Sequence, residues 1–267
     1  MLTIARIFFT VCSVAMALAT TGGTVSAQTA ESARITVDLI TSHSNLSAGL
    51  PSGEAVNLRV AADLPWGDAV LAELLDERKF GQRGGVAAAS YTRRLDADWY
   101  AIGSLALGHG GLNWARRRVD LQLSRKWLDR QQLVTSAALS DARFDMGRSD
   151  QGGRLAATWY AELPTLVEAG VLINVSRPGS VRSRMRYLSA VFGHEGSEVF
   201  TVRVSSGREA YQALGAGATL VDFPSRTVGA TWRHWLGPDW GVSAQVEQYH
   251  NPSYDRRTLG LGVFARW

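Results

Sequence analysis

Thr258-Leu259-Gly260-Leu261-Gly262-Val263-Phe264-Ala265-Arg266-Trp267 closes the chain, and its alternation decides the fold class. Successive side chains of a β-strand point to opposite faces. Leu259, Leu261, Val263, Ala265 and Trp267 therefore share one apolar face, with Thr258, Gly260, Gly262, Phe264 and Arg266 on the other. The rhythm recurs upstream. Ile35, Val37 and Leu39 alternate with Arg34, Thr36 and Asp38, and Val56, Leu58, Val60, Ala62 and Leu64 with Asn57, Arg59, Ala61 and Asp63. Val119, Leu121 and Leu123 stand against Arg116, Arg118, Asp120 and Gln122; Val167, Ala169, Val171, Ile173 and Val175 against Glu168, Asn174 and Ser176; Phe200, Val202 and Val204 against Thr201, Arg203 and Ser205. A strand charged at every second position cannot be buried on both faces. One face of each is fit for lipid and the other for water.

The connections separate a membrane barrel from a soluble sandwich. Pro65-Trp66-Gly67-Asp68, Leu95-Asp96-Ala97-Asp98, Leu128-Asp129-Arg130 and Leu236-Gly237-Pro238-Asp239 read as tight turns, each beside a tryptophan: Trp66, Trp99, Trp127 and Trp240. Tryptophan prefers the membrane interface, which places these turns along one boundary. Between them lie longer polar or glycine-rich stretches, read as external loops: residues 43–54, 109–114, 145–151, 177–183 and 210–224. Strands are expected to start near residues 33, 55, 69, 84, 99, 115, 132, 152, 166, 184, 198, 225, 240 and 257. The result is an all-β, antiparallel up-and-down transmembrane barrel of about fourteen strands, with twelve and sixteen as the other counts considered. An even count puts both termini at the periplasmic side. Segments 84–94 and 132–144 do not reveal which face is apolar and are read as strands. The apolar stretch at 163–175 is broken by Pro164 and Glu168, so no helix downstream of the leader is expected to span a membrane.

The N-terminus reads as a leader. Arg6 begins it, Ile7 to Ala19 form a short apolar core, and Val25-Ser26-Ala27 offers a small-residue cleavage site before Gln28. Residues 1–27 are thus a signal peptide for Sec export, 28–32 a short N-terminal segment and 33–267 the barrel. The one cysteine, Cys12, falls inside the leader, and Phe9-Thr10-Val11 before it lacks a lipobox. No disulfide or cysteine-held metal is expected in the mature chain. The net charge of +4 comes mostly from arginine. Without a zinc-finger, RNP or helix-turn-helix pattern it does not indicate nucleic acid; arginines in the lumen or facing lipopolysaccharide account for it.

Three stretches carry a family resemblance: Ser206-Gly207-Arg208-Glu209; Arg233-His234-Trp235-Leu236-Gly237-Pro238-Asp239-Trp240-Gly241; and Tyr254-Asp255-Arg256-Arg257 with Leu259-Gly260-Leu261-Gly262. Over about its last 70 residues the chain resembles the YaiO family of outer-membrane barrels; upstream the likeness is one of strand rhythm. The resemblance implies a barrel in the outer membrane of a Gram-negative bacterium, with no catalytic residues to carry over. Similar barrels accompany polysaccharide machinery, which implies an envelope role by association only. The terminal strand also resembles the signal taken up by the barrel-assembly machinery, although Ala265 stands where an aromatic is usual and Trp267 replaces phenylalanine.

A search for chemistry finds little. A barrel lipase needs serine and histidine on one face, and His43-Ser44-Asn45 puts them on opposite faces of a strand. His109, His194, His234 and His250 show no metal-ligand spacing. Neither an enzyme nor a cofactor is expected. Strand parity instead turns Arg59, Asp63, Arg116, Arg118, Asp120, Arg154, Glu168, Arg203, Arg233 and Glu247 toward the lumen. They would line a conduit for surface polysaccharide or other polar solutes, or pair with one another into a closed plug, leaving a structural barrel whose external loops bind partners. The expected partners are outer-membrane lipid and lipopolysaccharide, the assembly machinery through Trp267, and polysaccharide.

Overall fold

The computed structural model describes residues 33–161, 165–214 and 218–267. The leader read over 1–27, Cys12 within it, and the segment 28–32 lie outside these residues. Fourteen strands run through the described residues: β1 (Arg34–Leu46), β2 (Gly53–Asp63), β3 (Ala69–Lys79), β4 (Gln82–Arg94), β5 (Trp99–Gly110), β6 (Arg117–Trp127) and β7 (Leu133–Arg143). They continue as β8 (Ser149–Tyr160), β9 (Thr165–Arg177), β10 (Val181–Gly193), β11 (Glu198–Ala213), β12 (Thr219–Trp235), β13 (Trp240–His250) and β14 (Asp255–Arg266). Each pairs antiparallel with its sequence neighbour, and β14 closes onto β1, with Leu39 opposite Val263 and Ile40 opposite Gly262. Ile35 and Trp267 exchange both backbone hydrogen bonds at 2.9 Å across that seam. Closure leaves no edge, which is the condition for a β-structure in hydrocarbon, where an unpaired backbone group costs several kcal/mol.

The expected parity holds around the wall. Leu39, Val56, Leu74, Leu121, Leu139, Leu155, Ile173, Val246 and Leu261 are all exposed on the outside and make the lipid-facing band. Inward neighbours such as Asp38, Glu73, Gln122, Arg154 and Phe264 are buried. The four turns expected from the sequence join β2 to β3, β4 to β5, β6 to β7 and β12 to β13, at the end that carries both termini. Outer-membrane barrels keep their tight turns on the periplasmic side, and this end is named the periplasmic end accordingly. Trp66, Trp127, Trp159, Trp232, Trp240 and Trp267 are exposed in a girdle around it.

Most external loops are shorter than the sequence suggested. Stretches 43–54 and 145–151 reduce to connections at 47–52 and 144–148, and 177–183 to 178–180, while 109–114 keeps its length and moves to 111–116. The stretch 210–224 is mostly strand, with only 214–218 between β11 and β12. The reason is physical: these strands rise above the apolar band, and there an outward side chain meets headgroups or water, so polarity no longer marks a turn. Segments 84–94 and 132–144 are strands β4 and β7; Ala87 and Ala89 face out while Ala88 faces in, so composition was silent about the face.

One connection is tighter still. Phe80 and Gly81 alone join β3 to β4, both at positive φ, +51° and +73°. This is the combination of a type I′ hairpin turn, where Asn-Gly is preferred. A phenylalanine in the left-handed region costs about 1–2 kcal/mol, yet Phe80 is buried against Tyr254, with ring centroids 5.6 Å apart.

Glycines elsewhere make room for lumen side chains. Gly170 on β9 lies opposite Tyr187 on β10, and a Cβ there would sit 2.6 Å from the tyrosine ring. Gly170→Val is expected to lower barrel stability by about 1–3 kcal/mol through overpacking. On the lipid face, a Cβ at Gly103 would meet only Leu121, at 3.7 Å. Gly103→Ala should then stay within about 0.5 kcal/mol of the parent. Denaturant titration of the two variants, followed by tryptophan fluorescence, checks the pair; equal losses would contradict the packing argument.

Candidate functional site in the barrel interior

The lumen is divided into a filled half and an open half. On the filled side Arg154 of β8 donates to Tyr187 Oη at 3.1 Å and to Gln122 of β6, and lies 3.7 Å from Glu168 of β9. Glu168 in turn accepts from Tyr187 Oη at 2.8 Å and Thr158 Oγ1 at 3.0 Å. Arg154 and Glu168 are almost wholly buried. A buried ion pair is tolerated when neighbouring donors and acceptors hydrogen-bond to it, and here those partners come from β6, β8 and β10. Tyr100, Ile102 and Val134 pack beside them as an apolar cluster. Arg118 grips Asp120 two residues along the same face through two bonds, at 2.8 and 2.5 Å.

On the other side of the barrel, β1–β3 and β9–β14 line a cavity of about 270 Å³. Its wall extends from Lys79 and Arg256 near the external end to Leu166, Thr201 and Thr231 toward the periplasmic end. Carboxylates and basic groups alternate along it. Arg59 faces Glu73, which accepts from Asn57 at 2.6 Å, and Arg256 donates to Glu247 at 2.7 Å. Arg203 lies with its guanidinium carbon 4.2 Å from the centre of the Tyr187 ring, and serine and threonine hydroxyls fill the gaps. Near the periplasmic end Arg233 binds Asp38 at 2.5 Å and stacks over Phe264 at 4.0 Å.

At the external end, connections from several parts of the chain pack against one another. Phe80, Tyr249 and Tyr254 form a buried aromatic cluster backed by Leu46, Leu50, Leu214 and Leu220, and so join turns from opposite parts of the chain. Beside it the 111–116 loop drops Trp114 inside the wall, 1% exposed, against Leu75, Val86 and Ala106. Gly84 makes this possible, since a Cβ there would lie 2.5 Å from the indole. Asn113 then donates across the mouth to the Ala213 carbonyl at 3.1 Å.

Nine of the ten charges assigned to the lumen by parity face inward; Arg116 does not. It precedes β6, is exposed at the external rim, and pairs with Asp145 at 2.6 Å. Parity failed there because the strand has not yet begun. The hydrogen bonds from Arg116 hold the Asp145 carboxyl below the usual carboxylate range. Asp63 faces in at the periplasmic mouth, opposite Arg34. His43 and Ser44 occupy opposite faces of β1, where Ser44 shares a hydrogen bond of 2.8 Å with Thr258.

Sequence reasoning overlooked Glu73, Glu77 and Lys79 on β3, Glu209 on β11 and Arg256. On β3 both faces are apolar, Val70 and Leu74 outward and Leu71 and Leu75 inward, so no face stood out. Glu209 abuts the stretch read as loop, and Arg256 lies one residue before the expected start of the last strand. Asp38 was already visible by its parity.

Comparison with solved structures shows the fold. The chain is similar to the anion-selective porin from Comamonas acidovorans, with TM-score 0.52, 9% identity, and coverage of 88% of this chain and 99% of that one. A loop-deletion form of the outer membrane protein OmpT of Vibrio cholerae gives TM-score 0.53 at 9% identity, covering 90% and 100%. Omp33 of Acinetobacter baumannii, an outer membrane protein, gives 0.53 at 7%, covering 88% and 99%. At such identities the likeness is one of fold alone. No curated protein sequence matches. The sequence model of the YaiO membrane beta barrel domain matches residues 35–212, upstream of most of the motif stretches, of which Ser206 to Glu209 alone falls within it. With that match over more than half of its length, and with the closed barrel it describes, the chain belongs to the YaiO family of outer-membrane β-barrels.

Proposed function

We propose that this barrel is a narrow conduit for small polar solutes, shut at its external mouth by the Phe80–Tyr249–Tyr254 cap. The observation that carries the reading is the mixed-charge cavity along one wall, with the aromatic cluster at its external end. A volume of about 270 Å³ falls just below the roughly 300–1,000 Å³ of pockets that enclose a drug-sized ligand. The cargo it suits is therefore small, and a glycan chain would need both the cap and the Arg233–Asp38 pair displaced. Balanced charges favour polar or zwitterionic solutes over one ionic sign. The strain held at Phe80 supports the cap as a kept feature, because Asn-Gly would make the same turn without it.

A structural barrel with a sealed lumen is the second reading, favoured by the buried Arg154–Glu168 network across the other half. Planar-bilayer recording separates the two. Phe80→Asn keeps a good hairpin turn and removes the cap, so conductance should rise at least several-fold over the parent. Silence from both proteins at every voltage would sink the conduit and leave the sealed barrel.

The ion pair gives its own prediction. Glu168→Ala leaves the buried Arg154 without its carboxylate and should cost about 3–5 kcal/mol, while Arg154→Met with Glu168→Leu should recover most of that loss. Chemical unfolding in detergent reads the difference.

A further inference from the structure

The outer wall carries a feature the lumen does not explain. On β10, Arg182, Arg184 and Arg186 all point outward and are exposed. Directly beneath them on the same face come Leu188, Ala190 and Phe192, the lipid-facing band. Arg184 stands directly opposite Arg208 on β11, and Arg186 stands opposite Ser206, which is itself opposite Arg226 on β12. Spacings of about 6.5 Å along a strand and about 4.8 Å between strands gather five guanidinium groups on one small face.

Like charges directly opposed across strands are destabilising, and at three other points on the rim the chain neutralises an arginine itself. Arg83 pairs with Asp76 at 2.9 Å, Arg143 with Asp141 at 3.0 Å and Arg116 with Asp145 at 2.6 Å. Within the patch Arg208 has Asp222, at 2.8 Å. Among the described residues no carboxylate of the chain pairs with Arg182, Arg184, Arg186 or Arg226, and Glu209, next along β11, is buried in the lumen.

We infer that this face of β10–β12 is a binding site for a phosphorylated glycolipid of the outer leaflet, whose phosphates the unpaired guanidiniums hold while its acyl chains lie on Leu188, Phe192, Val204 and Val228. Position commits the occupant. The patch sits on the lipid side of the wall, at the external edge of the apolar band, where a headgroup phosphate lies. Guanidinium forks bind phosphate oxygens in bidentate fashion and are less strongly hydrated than ammonium. The exposed Ser206 hydroxyl, between Arg186 and Arg226, adds a donor at the same level.

The test uses the barrel purified in neutral detergent and titrated with bisphosphorylated lipid A, with the same lipid A stripped of phosphate, and with inorganic phosphate. Native mass spectrometry reads the bound lipid. The parent should retain bisphosphorylated lipid A at least about tenfold better than the stripped form. The R182Q/R184Q/R186Q/R226Q variant should lose that preference, while R83Q/R143Q, altered in rim arginines outside the patch, keeps it. All four substituted side chains are exposed, and circular dichroism verifies that the variant folds. Equal retention by the quadruple variant, equal binding of stripped lipid A, or displacement of lipid A by inorganic phosphate at equal concentration would each overturn the site.

Discussion

Everything in this barrel depends on the pairing of its backbone in a medium that offers no alternative partners. In hydrocarbon each N–H and C=O must find another backbone group, and only a closed ladder provides one for every strand. Here the closure falls between the two ends of the chain, where β1 meets β14 and Ile35 and Trp267 bond reciprocally. The seam joins the residues farthest apart in sequence, so the last strand is what converts a sheet with two open edges into a barrel. Once the ladder is satisfied, side chains are free to serve two solvents, lipid outside and a polar lumen within.

That division explains why much of the architecture was legible in the sequence. Lipid tolerates no charge at mid-depth, so the outward positions of β2, β6 and β9 are apolar there, and period two announces them. The tight periplasmic turns were legible for a second reason, since their tryptophans mark an interface. Legibility failed where the constraint relaxes. Above the apolar band, outward polar residues such as Arg182 on β10 and Asp222 on β12 look like loop, and inside the lumen any residue that fills space is admissible, so Leu71 and Leu75 beside Glu73 blurred the faces of β3. The partners of each lumen charge were not legible at all. Which arginine meets which carboxylate is set by stagger between strands, and that information is spread over the whole ring.

The lumen itself shows how a membrane barrel handles charge that a soluble core would avoid. Arg154 and Glu168 are as buried as any pair in a globular interior, yet hydroxyls and an amide from neighbouring strands hydrogen-bond to both of them. A barrel turns half its residues inward whether or not a core is wanted, and polar side chains that satisfy one another fill that space without making the inner face as apolar as the outer. The open half, along β1–β3 and β9–β14, is what remains where serine, threonine and glycine stand between the charged side chains of the wall.

The cap has an implication for the order of events. Phe80 lies in an early hairpin, and the tyrosines that bury it come from β13 and the turn after it, near the end of the chain. Until those strands have joined, its ring has no apolar shelter, and its turn bears the left-handed conformation without compensation. Closing the mouth is thus tied to closing the wall: the aromatic cluster needs an early hairpin and the last two strands together, so it cannot form ahead of the barrel.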